Sequence, residues 1–372
     1  MQAYLYPIEQ ATLHFLIAAF LLTMPYTLVQ YIRYGAVSKL RALILFSFFF
    51  YMLSAFYVVI LPLPDPATML SPHQEPFMQL IPFRFIYDFV TKTKLNIRAF
   101  STYLPALKQN VVYEPAFNVL LTVPFGMYLA YYFKQNLKRT LIFTFALTLF
   151  FEVTQLTALY GFYPYPYRLF DVDDLMLNTL GGVIGFFLAK RLLVFLPTRD
   201  RIDQKNIQRS VRVGYLRRVF ALGMDYIVFA MVRFVINAAG LQRLGTQALW
   251  DFLLMAALFI GFALVQWRFK QTLGKALVHI RLTQTRAGWP LPVALAVRYG
   301  ILWLLVCFNL WRATLLPPVN GFEISELVPV GLLLLIGLDA CIGFFTGKTL
   351  LYERISGMKN ISTKRLPGAD LV

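Results

Sequence analysis

The chain is a succession of apolar segments, each long enough to cross a bilayer, and this constrains its 372 residues more than any other feature. A hydrocarbon core is spanned by about 20 mostly apolar residues in a helix, because only backbone that satisfies its own hydrogen bonds is tolerated there. Windows of that length fall near 12–32, 42–62, 115–133, 140–160, 174–196, 218–238, 248–267, 292–316 and 328–347, and they predict nine transmembrane helices. Asn118 and Pro124 interrupt the third, and Arg298 lies within the eighth. Only 14% of the residues are charged and 59% are hydrophobic, whereas a soluble domain carries about 25% charged residues. An ordinary cytosolic enzyme is thereby excluded. The 35 Phe and 21 Tyr against two Cys also exclude disorder and a disulfide scaffold. The expected fold class is all-α, a polytopic integral membrane helical bundle with five helices in one part and four in the other.

Net charge is +17. In a membrane chain this excess informs topology before partners, since cytoplasmic loops collect Lys and Arg during insertion. Basic residues cluster in alternate connections, at 33–41, 134–139, 190–218, 268–286 and 348–365. That alternation predicts a multi-pass cell-membrane protein with the N-terminus outside and the C-terminus in the cytoplasm, and no nucleic-acid partner. The first 14 residues carry no Lys or Arg, so no secretory signal is expected. The polar, basic stretch with Arg199, Arg201, Lys205, Arg209, Arg212 and Arg217 places domain boundaries at 1–197, 198–217 and 218–372, the middle segment being a cytoplasmic linker. The outside connection 63–114 is too long to be structureless. Its apolar residues from Ile81 to Val90 interleave with Arg84, Asp88 and Lys92, predicting an amphipathic piece lying in the interface, with a re-entrant hairpin as the alternative.

Ionisable residues inside spans are costly and face a bundle interior or cavity. In the fourth span Glu152 and Gln155 share a helix face. The fifth opens with Arg168, Asp171, Asp173 and Asp174 and continues to Asn178 one turn later, with Gly181 and Gly185 forming a small-xxx-small step. With Asn118 from the third span, these residues make a candidate ligand-binding cluster at the outer leaflet. Capping of free backbone N–H groups accounts for Asp171, Asp173 and Asp174 equally well, but not for Glu152. Such carboxylates serve acid–base chemistry, a metal or a cationic ligand, and the sequence alone leaves the three open. No metal or cofactor is expected: Cys307 and Cys341 lie inside apolar runs, as inert buried thiols would, and His14, His73 and His279 are scattered.

The strings Asn118-Val-Leu-Leu-Thr-Val-Pro124-Phe-Gly126, Glu152-Val-Thr-Gln155 and Arg168-Leu-Phe-Asp171-Val-Asp173-Asp174-Leu-Met-Leu-Asn178-Thr179-Leu-Gly181, preceded by Leu80-Ile81-Pro82-Phe83, resemble the VanZ-like family over about residues 12–197. Its founding member is associated with low-level teicoplanin resistance in Gram-positive bacteria. The resemblance implies a cell-envelope role, with a cell-wall precursor or glycopeptide as the outer partner.

In the second half, Arg218, Ala221 and Asp225 share a face of the sixth span, and Asp225 is expected to pair with Arg218 or Arg298. Thr272-Leu-Gly274-Lys275 lacks the two glycines and preceding strand of a phosphate loop. Contact with anionic lipids on the cytoplasmic face suits it better. These positions, with Arg281, Arg298 and a closing Thr349-Leu-Leu-Tyr-Glu353-Arg354-Ile-Ser-Gly357, resemble the RDD family over about residues 211–362, Glu353 standing where an Asp is usual. That resemblance implies ion or solute transport with Asp225 as a coupling residue, and a buried ion pair fixing helix register is the structural alternative. The expected function is a non-catalytic envelope role, with glycopeptide tolerance as its phenotype. A transporter using intramembrane carboxylates and a membrane enzyme acting on lipid-linked precursors are the rivals.

Overall fold

A computed structural model describes residues 2–65, 69, 77–239, 247–285, 289–300, 337–339, 341–343 and 350–364. It divides into two compact units, one of Met1–Met24 with Lys39–Ile202 and one of Pro25–Ser38 with Asp203–Val372. Helix dominates both.

In the first unit α1 (Gln2–Tyr34, its last turns counted in the second unit) and α2 (Lys39–Ile60) are followed by a two-residue strand β1 (Met78–Gln79) and α3 (Arg84–Lys92). A 3-10 turn at Phe100–Thr102 and α4 (Tyr103–Leu107) lead into α5 (Asn110–Tyr131) and α6 (Leu137–Leu156). The short α7 (Ala158–Gly161), β2 (Phe170–Asp171), α8 (Val172–Leu192) and α9 (Arg199–Ser210) follow, the division between units falling inside α9. β1 and β2 pair in parallel, Met78 with Phe170 and Gln79 with Asp171, which ties the loop before α3 to the start of α8.

The centre of this unit is the packing of α5 and α6 on α8. A Cβ on Gly182 would strike Thr144, one on Gly181 the carbonyl of Val119 and the Thr122 hydroxyl, and one on Gly185 the carbonyl of Val123. Between lipid-immersed helices there is no hydrophobic drive to associate, so close backbone approach through small residues supplies the attraction. α6 contributes Thr140, Thr144 and Thr148 at four-residue steps, all fully buried, and the next step along the row is Glu152. Polar Asn178, 4% exposed, lies inside while Phe20, 82% exposed, lies outside. That inversion fits a chain whose solvent is lipid.

Among the described residues five helices are long and apolar enough to cross a membrane, at Leu5–Tyr34, Lys39–Ile60, Leu137–Leu156, Val172–Leu192 and Tyr215–Ile236. α5 and α11 (Gln247–Phe269) stand at two further expected positions. Residues 301–316 of the eighth expected span, and most of the ninth, lie outside the described residues, as does Cys307. Cys341 is exposed rather than buried. An apolar run in lipid gives a thiol no reason to turn inward.

The second unit holds α10 (Tyr215–Ala238), α11, α12 (Leu273–Leu277), a helix at 291–300 and a short helix Leu351–Ser356. It also holds a hairpin-like pair that an all-helical reading does not include. β3 (Ile280–Gln284) runs antiparallel to β4 (Met358–Ser362), with Ile280 opposite Ser362 and Gln284 opposite Met358. Leu282 and Met358 from this pair pack on Ala294, Leu295 and Tyr299, and Ile280 joins Val278, Ala221 and Tyr31. Both strands alternate buried and exposed side chains, as period-two backbone requires.

Replacing Gly185 with leucine should force α8 off the Val123 carbonyl and cost about 3 kcal/mol, the upper range for overpacking. Thermal unfolding of the full chain in detergent should show the loss, while Gly223→Leu, with open space around its position, should leave the midpoint unchanged.

Candidate functional site

Asp171, Asp173, Asp174, Asn178, Asn118, Glu152, Gln155 and Arg168 do come together in the first unit. They line one cavity of about 780 Å³. β2 and the first turns of α8 deliver the aspartates and Asn178, α6 delivers Glu152 and Gln155 from the end of its threonine row, and α5 delivers Asn118. Asn118 donates to Asp174 across the two helices. Gln155 donates to the Val59 carbonyl at 3.0 Å, and Arg168 to that of Leu61 at 2.9 Å.

The carboxylates divide by task. Asp171 is the N-cap of α8 and accepts from the Asp173 amide at 2.8 Å, as the capping alternative requires. Glu152 in turn accepts from the Asp171 amide at 3.0 Å. Asp173 is spent on a distant segment: its two oxygens accept from the amides of Phe83 at 2.6 Å and Phe85 at 2.9 Å. α3 has no cap of its own, since Phe83 at its N-cap sits in the left-handed region with no side-chain bond. Asp173, 3% exposed, supplies that cap from α8. It positions α3 and also lines the cavity. Asp174 and Glu152 keep their carboxylates on the cavity wall. Burial, ahead of the neighbouring Asp173 charge, raises the Asp171 carboxyl above the usual carboxylate range.

Sequence reasoning placed Arg84, Asp88 and Lys92 on an amphipathic segment and did not connect them to this cluster. They stand at four-residue steps along α3, and all three line the cavity, as do Gln79 and Glu114. Asp88 and Lys92 form an ion pair at 2.8 Å. The opposite side of α3 carries Ile86, Tyr87 and Val90, all exposed. The four-residue spacing of the charges was the available signal. Its destination depended on Asp173.

The second unit gathers Arg218, Asp225, Gly274, Lys275, Arg298 and Glu353 in a buried polar network. The expected pairing of Asp225 with an arginine is not the one found. Asp225 accepts from the Thr272 hydroxyl at 2.6 Å and the Gly274 amide at 2.7 Å, closing the start of α12. Gly274 is required there because a Cβ would meet the Ala221 carbonyl and Asp225 itself. The arginines go to Glu353 instead: Arg218 at 2.9 Å and Arg298 at 3.7 Å, with Asn360 donating at 2.9 Å. A glutamate standing where the RDD pattern has Asp therefore serves both cations.

Lys275, in the stretch expected to meet anionic lipid, is half-buried and donates to Gln266 at 3.0 Å. Arg217, read as linker charge, is 1% exposed. It donates to the carbonyls of Ser210, Val278 and His279 at 2.6 to 2.7 Å. Among the described residues no three His, Cys, Asp or Glu side chains are grouped as a metal ion would need.

Residues 48–196 match the VanZ/LLP1 family model and residues 212–352 the RDD family model, in that order along the chain. No curated protein and no solved structure matches the chain.

Two outcomes follow from this geometry. Asp173→Ala removes a side-chain cap on α3 and should cost about 1 kcal/mol locally. Hydrogen exchange at Phe83 and Phe85 should accelerate roughly fivefold while α8 stays protected. In the second unit, burial and then the Arg298 charge pull the Lys275 ammonium down to about 7. The unfolded chain then holds that proton up to the ordinary lysine range and the folded chain does not, so stability should rise with pH from about 7 upward. Lys275→Met should flatten that rise in the thermal midpoint.

Proposed function

For a membrane protein that joins a VanZ-like region to an RDD region, we propose a cell-envelope role exercised by binding a polar envelope component in the cavity of the first unit, with low-level glycopeptide (teicoplanin) resistance in a Gram-positive host as its phenotype. The observation that carries this reading is the cavity itself. An open cavity of about 780 Å³ lies where α5, α6 and α8 meet, and it is walled by six carboxylates and three cations. That volume suits a headgroup-sized ligand. The Lys and Arg asymmetry of the connections supports an outside N-terminus and a cytoplasmic C-terminus, which would open the cavity toward the outer face.

Binding is favoured over catalysis because Asp171, Asp173 and Glu152 already accept backbone N–H bonds. None of them stands beside a nucleophile it could activate. The second unit supports the first on this reading. Asp225 has both oxygens engaged within its own unit, which favours a structural part over a coupling part. Exposed Arg281 and Lys359 on the β3–β4 pair are the residues suited to anionic lipid on the cytoplasmic side.

Teicoplanin susceptibility tests the proposal. A Gram-positive host expressing the wild-type chain should tolerate more antibiotic than the vector control, and Asp174→Asn should return it to the control level with membrane abundance matched by immunoblot. Unchanged susceptibility for the well-expressed wild type would overturn the resistance reading. Function would then move to ion or solute flux through the second unit, or to turnover of a lipid-linked precursor.

A further inference from the structure

We infer that the cavity of the first unit is a headgroup site for an amphiphile that presents a primary ammonium beside an anionic group, the phosphoethanolamine headgroup being the simplest example. This rests on the ligand-binding reading above and adds what the ligand must present.

The ammonium end is specified by Asn178. Its side chain is 4% exposed and lines the cavity. Its amide nitrogen donates to Thr148 at 3.2 Å, and its backbone carbonyl accepts from Thr122. Among the described residues its side-chain oxygen has no hydrogen-bond partner. A buried amide oxygen left in that state calls for a donor. One turn earlier on α8 stands Asp174, and Glu152 lies within electrostatic reach of Asp174, Asp171 and Arg168. The cavity wall holds Asp88, Glu114, Glu152, Asp171, Asp173 and Asp174 against Arg84, Lys92 and Arg168, an excess of acidic over basic groups that suits a cationic ligand.

A metal ion does not suit these donors, because they are not grouped around a point. An ammonium suits them better, since it offers three separate N–H donors rather than demanding a single coordination sphere.

The anionic end follows from Arg168. It gives one nitrogen to the Leu61 carbonyl, and a guanidinium carries five N–H donors in a planar fork, so others remain for a phosphate. The demand for an amphiphile comes from α3. Arg84, Asp88 and Lys92 face the cavity while Ile86, Tyr87 and Val90 are exposed on the other side, which is the distribution of a helix lying between headgroups and acyl chains. A ligand entering past α3 meets apolar and polar surface at one depth.

Binding of short-chain lipids to the full-length protein in detergent, followed by native mass spectrometry, tests this. Dihexanoyl phosphatidylethanolamine should bind about tenfold tighter than the phosphatidylcholine and phosphatidylglycerol analogues, because trimethylation removes the donors and glycerol removes the charge. Free phosphoethanolamine should bind more weakly than the lipid. Asn178→Leu and the isosteric Asp174→Asn should each cut the preference to below about twofold. If Asn178→Leu lowers the thermal midpoint, Asp174→Asn carries the comparison. Equal binding of the three lipids, or a preference that survives Asp174→Asn, overturns the ammonium inference while leaving the binding reading intact. Free phosphoethanolamine matching the lipid overturns the amphiphile element. No binding by any probe overturns the headgroup inference, while the susceptibility of the Asp174→Asn strain still decides the binding reading.

Discussion

The close approach of α8 to α5 and α6 is the contact from which the first unit is built. Gly181 and Gly185 lie against the carbonyls of Val119 and Val123, and Gly182 against Thr144. With larger residues the helix axes would separate and Asn118 could not reach Asp174. The polar cavity is thus a consequence of three small side chains one or two turns further along α8. In lipid this arrangement is the economical one, because backbone contact and threonine hydroxyls replace the hydrophobic association available in water.

A second theme is shared by the two units, each in its own context. An acidic residue on a long helix engages its carboxylate with donors at the start of a short helix far away in sequence. Asp173 does this for α3, and Asp225 does it for α12. A short helix leaves its first amides unsatisfied, and near a membrane there is little water to solvate them. The same acidic side chain that looks like a ligand or coupling group in the sequence is then part of the scaffold. Asp174, Glu152, Arg168 and Asn178 share the cavity wall with Asp173.

Much of this was legible from the residues in order. Span length and apolarity located the long helices, and the i, i+3 and i, i+4 spacings put Glu152 with Gln155 and Asp174 with Asn178 on common faces. The β3–β4 pair was not legible. Each strand is five residues long, and they are separated by more than seventy residues of chain, so no local turn announces the pairing. The destination of Arg217 was not legible for a related reason. This residue neighbours Arg218 and follows a basic stretch, and only the folded arrangement brings the carbonyls of Val278 and His279 to it.

The sequence by itself determined that this chain lives in a membrane, which helices carry its intramembrane charges, and which of those charges share a helix face. These are properties of length, hydropathy and helical period, all of them local. Only the tertiary structure decided which carboxylates face a cavity and which close a helix end, because that depends on partners 47 to 90 residues away in the chain. It assigned Glu353 rather than Asp225 to the arginines, and it turned Arg84, Asp88 and Lys92 toward the cluster on α8. A charged side chain in a low-dielectric interior takes the best partner that folding brings within reach, and spacing along one helix cannot reveal who that partner is.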